Sequence, residues 1–200
     1  QPTDERQNSV EIGYISKSLV NEDGVSVPSP SSQAGLKEGD IVRSIDGKPV
    51  ENWTDIHQSI AISSGISGDG RRKIDFEIER NENVQQVTVF PIISQYLKTR
   101  QVGLGPGYTV IITKLADNSP ATKSSILPQD TLIEIDGEPI RSIEFFRNAI
   151  ADKAGIPVSL VLKRGEENIE TTVTPESVEI RKDGTRSTLI GIGEYTTNAD

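Results

Sequence analysis

The sequence predicts an α+β chain built from two copies of one small domain, each a partly open β-barrel or sandwich with two helices. Three observations carry this. The stretch over residues 29–50 is written twice: ninety positions on, Ser119-Pro120 repeats Ser29-Pro30, Leu36 falls on Ile126, Asp40 on Asp130, and Ile45-Asp46-Gly47 on Ile135-Asp136-Gly137. Each copy mixes short runs of strand-period alternation with an apolar stripe at helical spacing. The 200 residues divide into two pieces of about 90 to 100, a size that buries an adequate core alone.

Along the chain, residues 1–9 are polar and read as a linker, and order is expected from Val10. Residues 10–15 alternate as a strand around Gly13, and the ninety-residue offset places residues 100–105, with Gly103 on Gly13, opposite them. Asn21-Glu22-Asp23-Gly24 reads as a turn, residues 25–27 as a strand, and residues 108–115 as a longer β-rich run. Ser29 and Ser119 each precede Pro, the pattern of an N-cap and first helical position, so short helices are expected over residues 31–36 and 121–126. Residues 41–45 and 131–135 are apolar strands, closed by Asp-Gly turns that supply positive φ. Residues 54–62 place Ile56, Ile60 and Ala61 on one helix face; residues 142–154 do so with Ile143, Phe146, Ala149 and Ile150. A glycine- and serine-rich stretch, 65–70, occurs only in the first copy and shortens the offset to 84. Hairpins then close each copy, over residues 74–89 and 158–173. The predicted domains are residues 10–95 and 100–177, with 178–200 as a C-terminal extension that echoes Val102-Gly103-Leu104-Gly105 in Ile190-Gly191-Ile192-Gly193.

Composition excludes several classes. A net charge of −9, from 30 acidic and 21 basic residues, disfavours phosphate-backbone binding, because nucleic-acid binders concentrate Lys and Arg; Arg71-Arg72-Lys73 is read as a solvated loop, and no nucleic-acid partner is expected. No apolar run reaches the length of a membrane span and no signal-peptide pattern opens the chain. With no methionine anywhere, it reads as a piece of something longer, soluble and monomeric as a fragment. Zero cysteines rule out disulfides and thiolate metal sites.

No catalytic set is present. His57 is the sole histidine, so a His-Glu-x-x-His zinc motif is absent, and no Gly-x-Ser-x-Gly accompanies it. Gly103-Leu104-Gly105-Pro106-Gly107 lacks both the spacing and the following helix of a dinucleotide loop. The acid pairs Asp40 with Asp46 and Asp130 with Asp136 recur beside turns, which assigns them to helix-end and turn hydrogen bonds rather than to a dyad or a calcium site. No catalytic or metal-ligating residue is expected in this chain.

The pattern Ser-Pro-x-x-x-Ala-Gly-Leu-x-x-Gly-Asp-x-Val-x-x-Ile-Asp-Gly-x-Pro-Val resembles the bacterial-type PDZ domain, and it fits twice, with Ser125 and Gln129 replacing glycines in the second copy. The resemblance implies a peptide added as a strand between a strand and the longer helix, its carboxyl end held by a glycine loop. By position the loops would be Ile12, Gly13, Tyr14 and Ile15, and Val102, Gly103, Leu104 and Gly105, with His57 and Ile60, or Phe146 and Ile150, facing the groove. Compact PDZ pairs resemble those of the site-two protease, a membrane-embedded zinc metalloprotease. That likeness implies a regulatory, substrate-gating role, zinc only in the full-length parent, and the extracytoplasmic, periplasmic face of the bacterial inner membrane. The partners it implies are C-terminal peptides or membrane-protein substrates such as anti-sigma factors, and the parent's own transmembrane protease domain. The alternatives are the PDZ pair of an HtrA-type serine protease and a free-standing peptide-binding adaptor.

Overall fold

A computed structural model describes residues 9–197. The expected linker therefore lies, apart from Ser9, outside the described residues. The chain divides into two compact units, Gln1–Gly107 and Tyr108–Asp200.

The first unit runs β1 (Ile12–Ile15), β2 (Ser18–Val20), β3 (Ser26–Pro28), α1 (Pro30–Gln33), β4 (Ile41–Ile45), β5 (Lys48–Pro49), α2 (Trp53–Ile62), β6 (Ile74–Arg80), β7 (Asn83–Val89), β8 (Ile92–Ile93), β9 (Arg100–Gln101) and β10 (Leu104–Pro106). Its antiparallel sheet has the order β5-β4-β6-β7, joined by the small pairs β2-β3, β8-β9 and β1-β10. Alternation along β6 puts Ile74, Phe76 and Ile78 wholly inside, as a half-buried strand requires. The hairpin to β7 turns on Asn81 and Glu82, both at positive φ, the backbone of a two-residue primed turn. Helix α2 is capped by the Asn52 side chain, which accepts from the Asp55 N–H at 2.9 Å, and it buries Trp53, Ile56 and Ile60 on the sheet. Ala61, expected on that buried face, is exposed.

The second unit runs β11 (Val110–Leu115), β12 (Thr131–Ile135), β13 (Glu138–Pro139), α3 (Ile143–Ile150), β14 (Val158–Arg164), β15 (Glu167–Val173), β16 (Glu176–Glu179), β17 (Arg186–Leu189) and β18 (Ile192–Thr197). Its main sheet has the order β15-β14-β12-β11-β18, with β13 beside β12. The helix expected over residues 121–126 is a series of turns instead. A hydroxyl competes there for a carbonyl that a helix needs: Ser124 Oγ, at the position that Ala34 fills in the first unit, donates to Ala121 O at 2.7 Å, an arrangement that draws the backbone out of helix. Ser125 also stands where Gly35, at φ +82°, ends α1. The architecture is α+β with open sheets, and among the described residues only the first unit has both expected helices. Helix α3 stops at Ile150 rather than continuing to residue 154. There Lys153 N–H bonds back only three residues, to Ile150 O at 3.0 Å.

The duplicated aspartates hold each unit together in the same way. Asp40, 2 % exposed, takes a two-pronged bond from Arg80 at 2.7 and 2.6 Å and caps Lys37 N–H at 2.8 Å. Asp130, 0 % exposed, takes Arg164 at 2.8 Å on both oxygens and caps Leu127 N–H at 2.8 Å. Asp46 and Asp136, in the Asp-Gly turns, accept from the backbone N–H of Asp75 and Ser159, each at 2.9 Å. All four carboxylates are thus structural, as their recurrence beside turns suggests.

Two separate cores result. The first contains Val102 and Leu104 together with Ile12, Phe76 and Trp53; the second contains Ile190 with Ile112, Phe146 and Leu160. The boundary between units accordingly lies after Gly107, whereas the sequence placed it between residues 95 and 100.

Candidate functional site

The end of each unit returns to its beginning. In the first, β10 pairs antiparallel with β1, with Ile15 opposite Leu104 and Tyr14 opposite Gly105. Ser16 N–H donates to Gly103 O at 2.9 Å and Ser31 N–H to Val102 O at 2.8 Å. In the second, β18 pairs with β11, Ala116 N–H donates to Gly191 O and Ala121 N–H to Ile190 O, both at 2.7 Å. The two returns are one motif, Val102-Gly103-Leu104-Gly105 and Ile190-Gly191-Ile192-Gly193. Gly103 and Gly191 sit at φ +81° and +95° where a Cβ would fall 2.7 Å and 2.0 Å from the Cβ of Ser29 and Ser119. Only glycine passes there without strain.

The ninety-residue register therefore fails for the strand that opens each unit. Ile12 exchanges 2.8 Å backbone bonds with Gly39 and Asp40; the residue that does this in the second unit, with Gln129 and Asp130 at 2.6 and 2.9 Å, is Ile112 and not Val102. Residues 102–105 belong to the end of the first unit, where the sequence assigned them to the start of the second.

This re-pairing builds the site. A cavity of about 580 Å³ lies between α2 and the returning chain, lined on the helix side by His57, Ile60 and Ala61 and on the other by Ile93 and residues 98–104. Because Gly103 O accepts from Ser16 N–H, next to β1, while Ile15 stands opposite Leu104, the pleat of an antiparallel strand turns the N–H and C=O of Leu104 to the edge away from β1. The cavity thus has an apolar floor in Ile60, Val102 and Leu104 and a strand edge along one side. Its mouth carries His57, Lys98 and Arg100. Arg100 donates to Ser63 O at the end of α2, and among the described residues neither it nor Lys98 pairs with a carboxylate. The arrangement can accept an extended chain as a further strand and neutralise a negative group at its end.

Of the residues singled out from sequence, His57, Ile60, Val102, Gly103 and Leu104 meet in this one cavity. Ile12, Gly13, Tyr14 and Ile15 do not line it. They form β1, on the far edge of β10, with Ile12 and Ile15 in the core. Gly13 is there for close approach, since a Cβ would lie 1.9 Å from Gly107 N. Gly105 packs under the Tyr14 ring, 2.3 Å from where its Cβ would be. Phe146 and Ile150, each 2 % exposed, are core residues of the second unit. Sequence reasoning missed Ala61, Ile93, Lys98, Thr99, Arg100 and Gln101. The available signal was the echo between residues 102–105 and 190–193, which marks the end of each unit.

Signatures of the PDZ domain match residues 24–80 and 95–174, and the chain is a tandem of two PDZ domains. The second match opens within the first compact unit, because β9 and β10 run directly on into the second unit's sequence but fold with the first. Similar proteins include the periplasmic serine endoprotease DegP of Salmonella typhimurium, 24% identical over 70% of this chain and 31% of its own. Another is a Neisseria meningitidis protein named for zinc metalloprotease activity, 24% identical over 74% of this chain and 34% of its own. A third is the regulator of sigma-E protease RseP of Salmonella typhimurium, 21% identical over 76% and 35%. The chain spans about a third of the length of each. No helix among the described residues is long and apolar enough to cross a membrane, and no group of three metal-ligating side chains among them is placed to hold a metal ion.

Proposed function

We propose that the chain is the peptide-recognising region of a larger protease, and that its first unit captures the carboxyl end of a protein as a strand laid between β10 and α2. The observation that carries this is the cavity itself, which brings together a strand edge, an apolar floor and the cations Lys98 and Arg100. Strand addition supplies main-chain hydrogen bonds, and Ile60, Val102 and Leu104 receive an apolar terminal side chain. In this reading the parent is a membrane-embedded zinc metalloprotease of the site-two class, the zinc sits in the parent's protease domain, and the pair regulates access of membrane-protein substrates on the periplasmic side. The likeness to RseP and to the Neisseria protein supports that parentage. The likeness to DegP supports a second one, a secreted serine protease. A His-Glu-x-x-His motif within an apolar segment of the parent chain decides for the first, a trypsin-like domain for the second.

Titration with short peptides ending in a free valine tests the groove. Dissociation constants on the order of 1 to 100 μM are expected, weakened at least tenfold by amidation of the carboxyl end. Ala61→Trp, which fills the cavity from an exposed helix position, abolishes binding. Equal affinity for free and amidated peptides, or unchanged binding by Ala61→Trp, excludes the proposal.

A further inference from the structure

The second unit holds a smaller cavity, about 220 Å³, lined by Arg147, Ala151, Ser177, Arg186, Ser187 and Thr188. Each has a counterpart around the first unit's groove. Arg147 and Ala151 come after the cap Ser142 at the distances by which His57 and Ala61 come after the cap Asn52. Ser177 opposes Thr188 in the β16-β17 pair as Ile93 opposes Arg100 in the β8-β9 pair, and Arg186 and Ser187 precede Thr188 as Lys98 and Thr99 precede Arg100. This cavity does not extend along the returning chain: residues 190–192, the counterparts of 102–104, are not in its lining. The Arg147 guanidinium instead reaches across to the Tyr195 ring on β18, 5.7 Å from its centroid.

The mouth is nonetheless basic, by different residues than in the first unit. Arg147 makes no ion pair among the described residues, and Arg186 donates to Ser177, to Oγ at 2.9 Å and to the backbone O at 2.7 Å. In a chain with 30 acidic residues against 21 basic ones, two arginines flank one cavity without a carboxylate partner among the described residues. The hydroxyls of Ser177, Ser187 and Thr188 complete the lining. The Arg147 guanidinium, the Arg186 N–H groups that Ser177 does not take and the hydroxyl donors around a volume this small suit the planar, two-oxygen geometry of a carboxylate.

We propose that this is a second, separate site, one that binds side-chain carboxylates of an acidic peptide segment without strand addition. The two units then read different features of a polypeptide, a terminus in the first and a patch of Glu or Asp in the second. The choice of a peptide as the source of the carboxylate rests on the groove reading of the first unit, but the site and its test do not use that groove.

The test is an amide-shift titration of the full chain with a short polyglutamate peptide acetylated at one end and amidated at the other, so that no terminal carboxylate is present. Saturable shifts are expected at Ala151, Arg186 and Thr188, diminishing as salt is raised, with none from the matching polyglutamine peptide. Arg147→Gln and Arg186→Gln should each weaken binding about fivefold, and Arg147→Lys should fall between Arg147→Gln and the parent chain. Because Arg147 is exposed and contacts a ring face, its variants keep the fold and report on the site alone. Equal shifts from polyglutamine, unchanged affinity in both glutamine variants, or inorganic phosphate saturating the same amides at lower concentration than the peptide would each overturn the assignment.

Discussion

At the scale of single residues, the duplicated carboxylates set the stability of each unit. Asp130 is wholly buried, and burial opposes its charge; the Arg164 guanidinium and the Leu127 N–H outweigh that and hold its carboxyl below the usual carboxylate range. A carboxyl depressed in the folded state stabilises fully above its unfolded value, about 3.9, and the contribution fades as pH falls through the folded value. Urea titrations from neutral to strongly acidic pH should show Asp130→Asn costing most at pH 7 and converging on the parent chain as pH drops below that value. Arg164→Ala, which strands a buried carboxylate, should cost about 3 kcal/mol at pH 7. Asp136 is held low as well, first by Lys153 Nζ at 2.7 Å and then by the Ser159 N–H, but it lies at the surface and should contribute less. Gln129 shows the opposite case, a side chain forced to φ +76° at the position that Gly39 fills in the first unit. Gln129→Gly should raise the urea midpoint, by about 1 kcal/mol of stability, through release of left-handed strain; a lower midpoint would show that the strain is absent.

At the scale of elements, what was legible in the sequence was whatever recurs locally. The strands over residues 41–45 and 131–135, the Asp-Gly turns, helix α2 and both hairpins derive from period, caps and turn residues, and the structure places them within a few residues of expectation. Hidden was the partner of the opening strand. Ninety residues of offset align Gly13 with Gly103 convincingly, yet hydrogen bonding makes Ile112 the counterpart of Ile12, because the β2-β3 hairpin lengthens the first unit between Ile12 and Ser29 and has no equivalent between Ile112 and Ser119. Pairing across about ninety residues leaves no local pattern, and glycines selected for close approach look alike whether they line a ligand or a neighbouring strand. Hence the residues of two predicted sites were divided and recombined into one. The glycine of the returning chain carries a direct check. Gly103→Ala should cost roughly 2 kcal/mol, since it combines positive φ with contact on Ser29, and Gly191→Ala should act alike in the second unit. Hydrogen exchange should then accelerate in β1 and β10 for the first variant and in β11 and β18 for the second.

At the scale of the whole molecule, the first PDZ unit is completed by sequence that reads as the opening of the next one. A fragment ending at residue 95 lacks Val102 and Leu104 from its core and the strand beside β1; one ending at Gly107 has both. The longer fragment should give a cooperative urea transition and a dispersed amide spectrum, and the shorter one should not. The same continuity places one wall of the proposed peptide groove, β9 and β10, immediately before the first strand of the second unit in sequence. The central claim is that α2 and this returning chain form a single binding groove, and the most direct measurement is an amide-shift map of the full chain titrated with a peptide ending in a free valine. The largest shifts are expected at Gly103, Leu104, His57 and Ala61, with residues 12–15 and helix α3 little changed. Shifts centred on residues 12–15, or on α3 with none in α2, would contradict it.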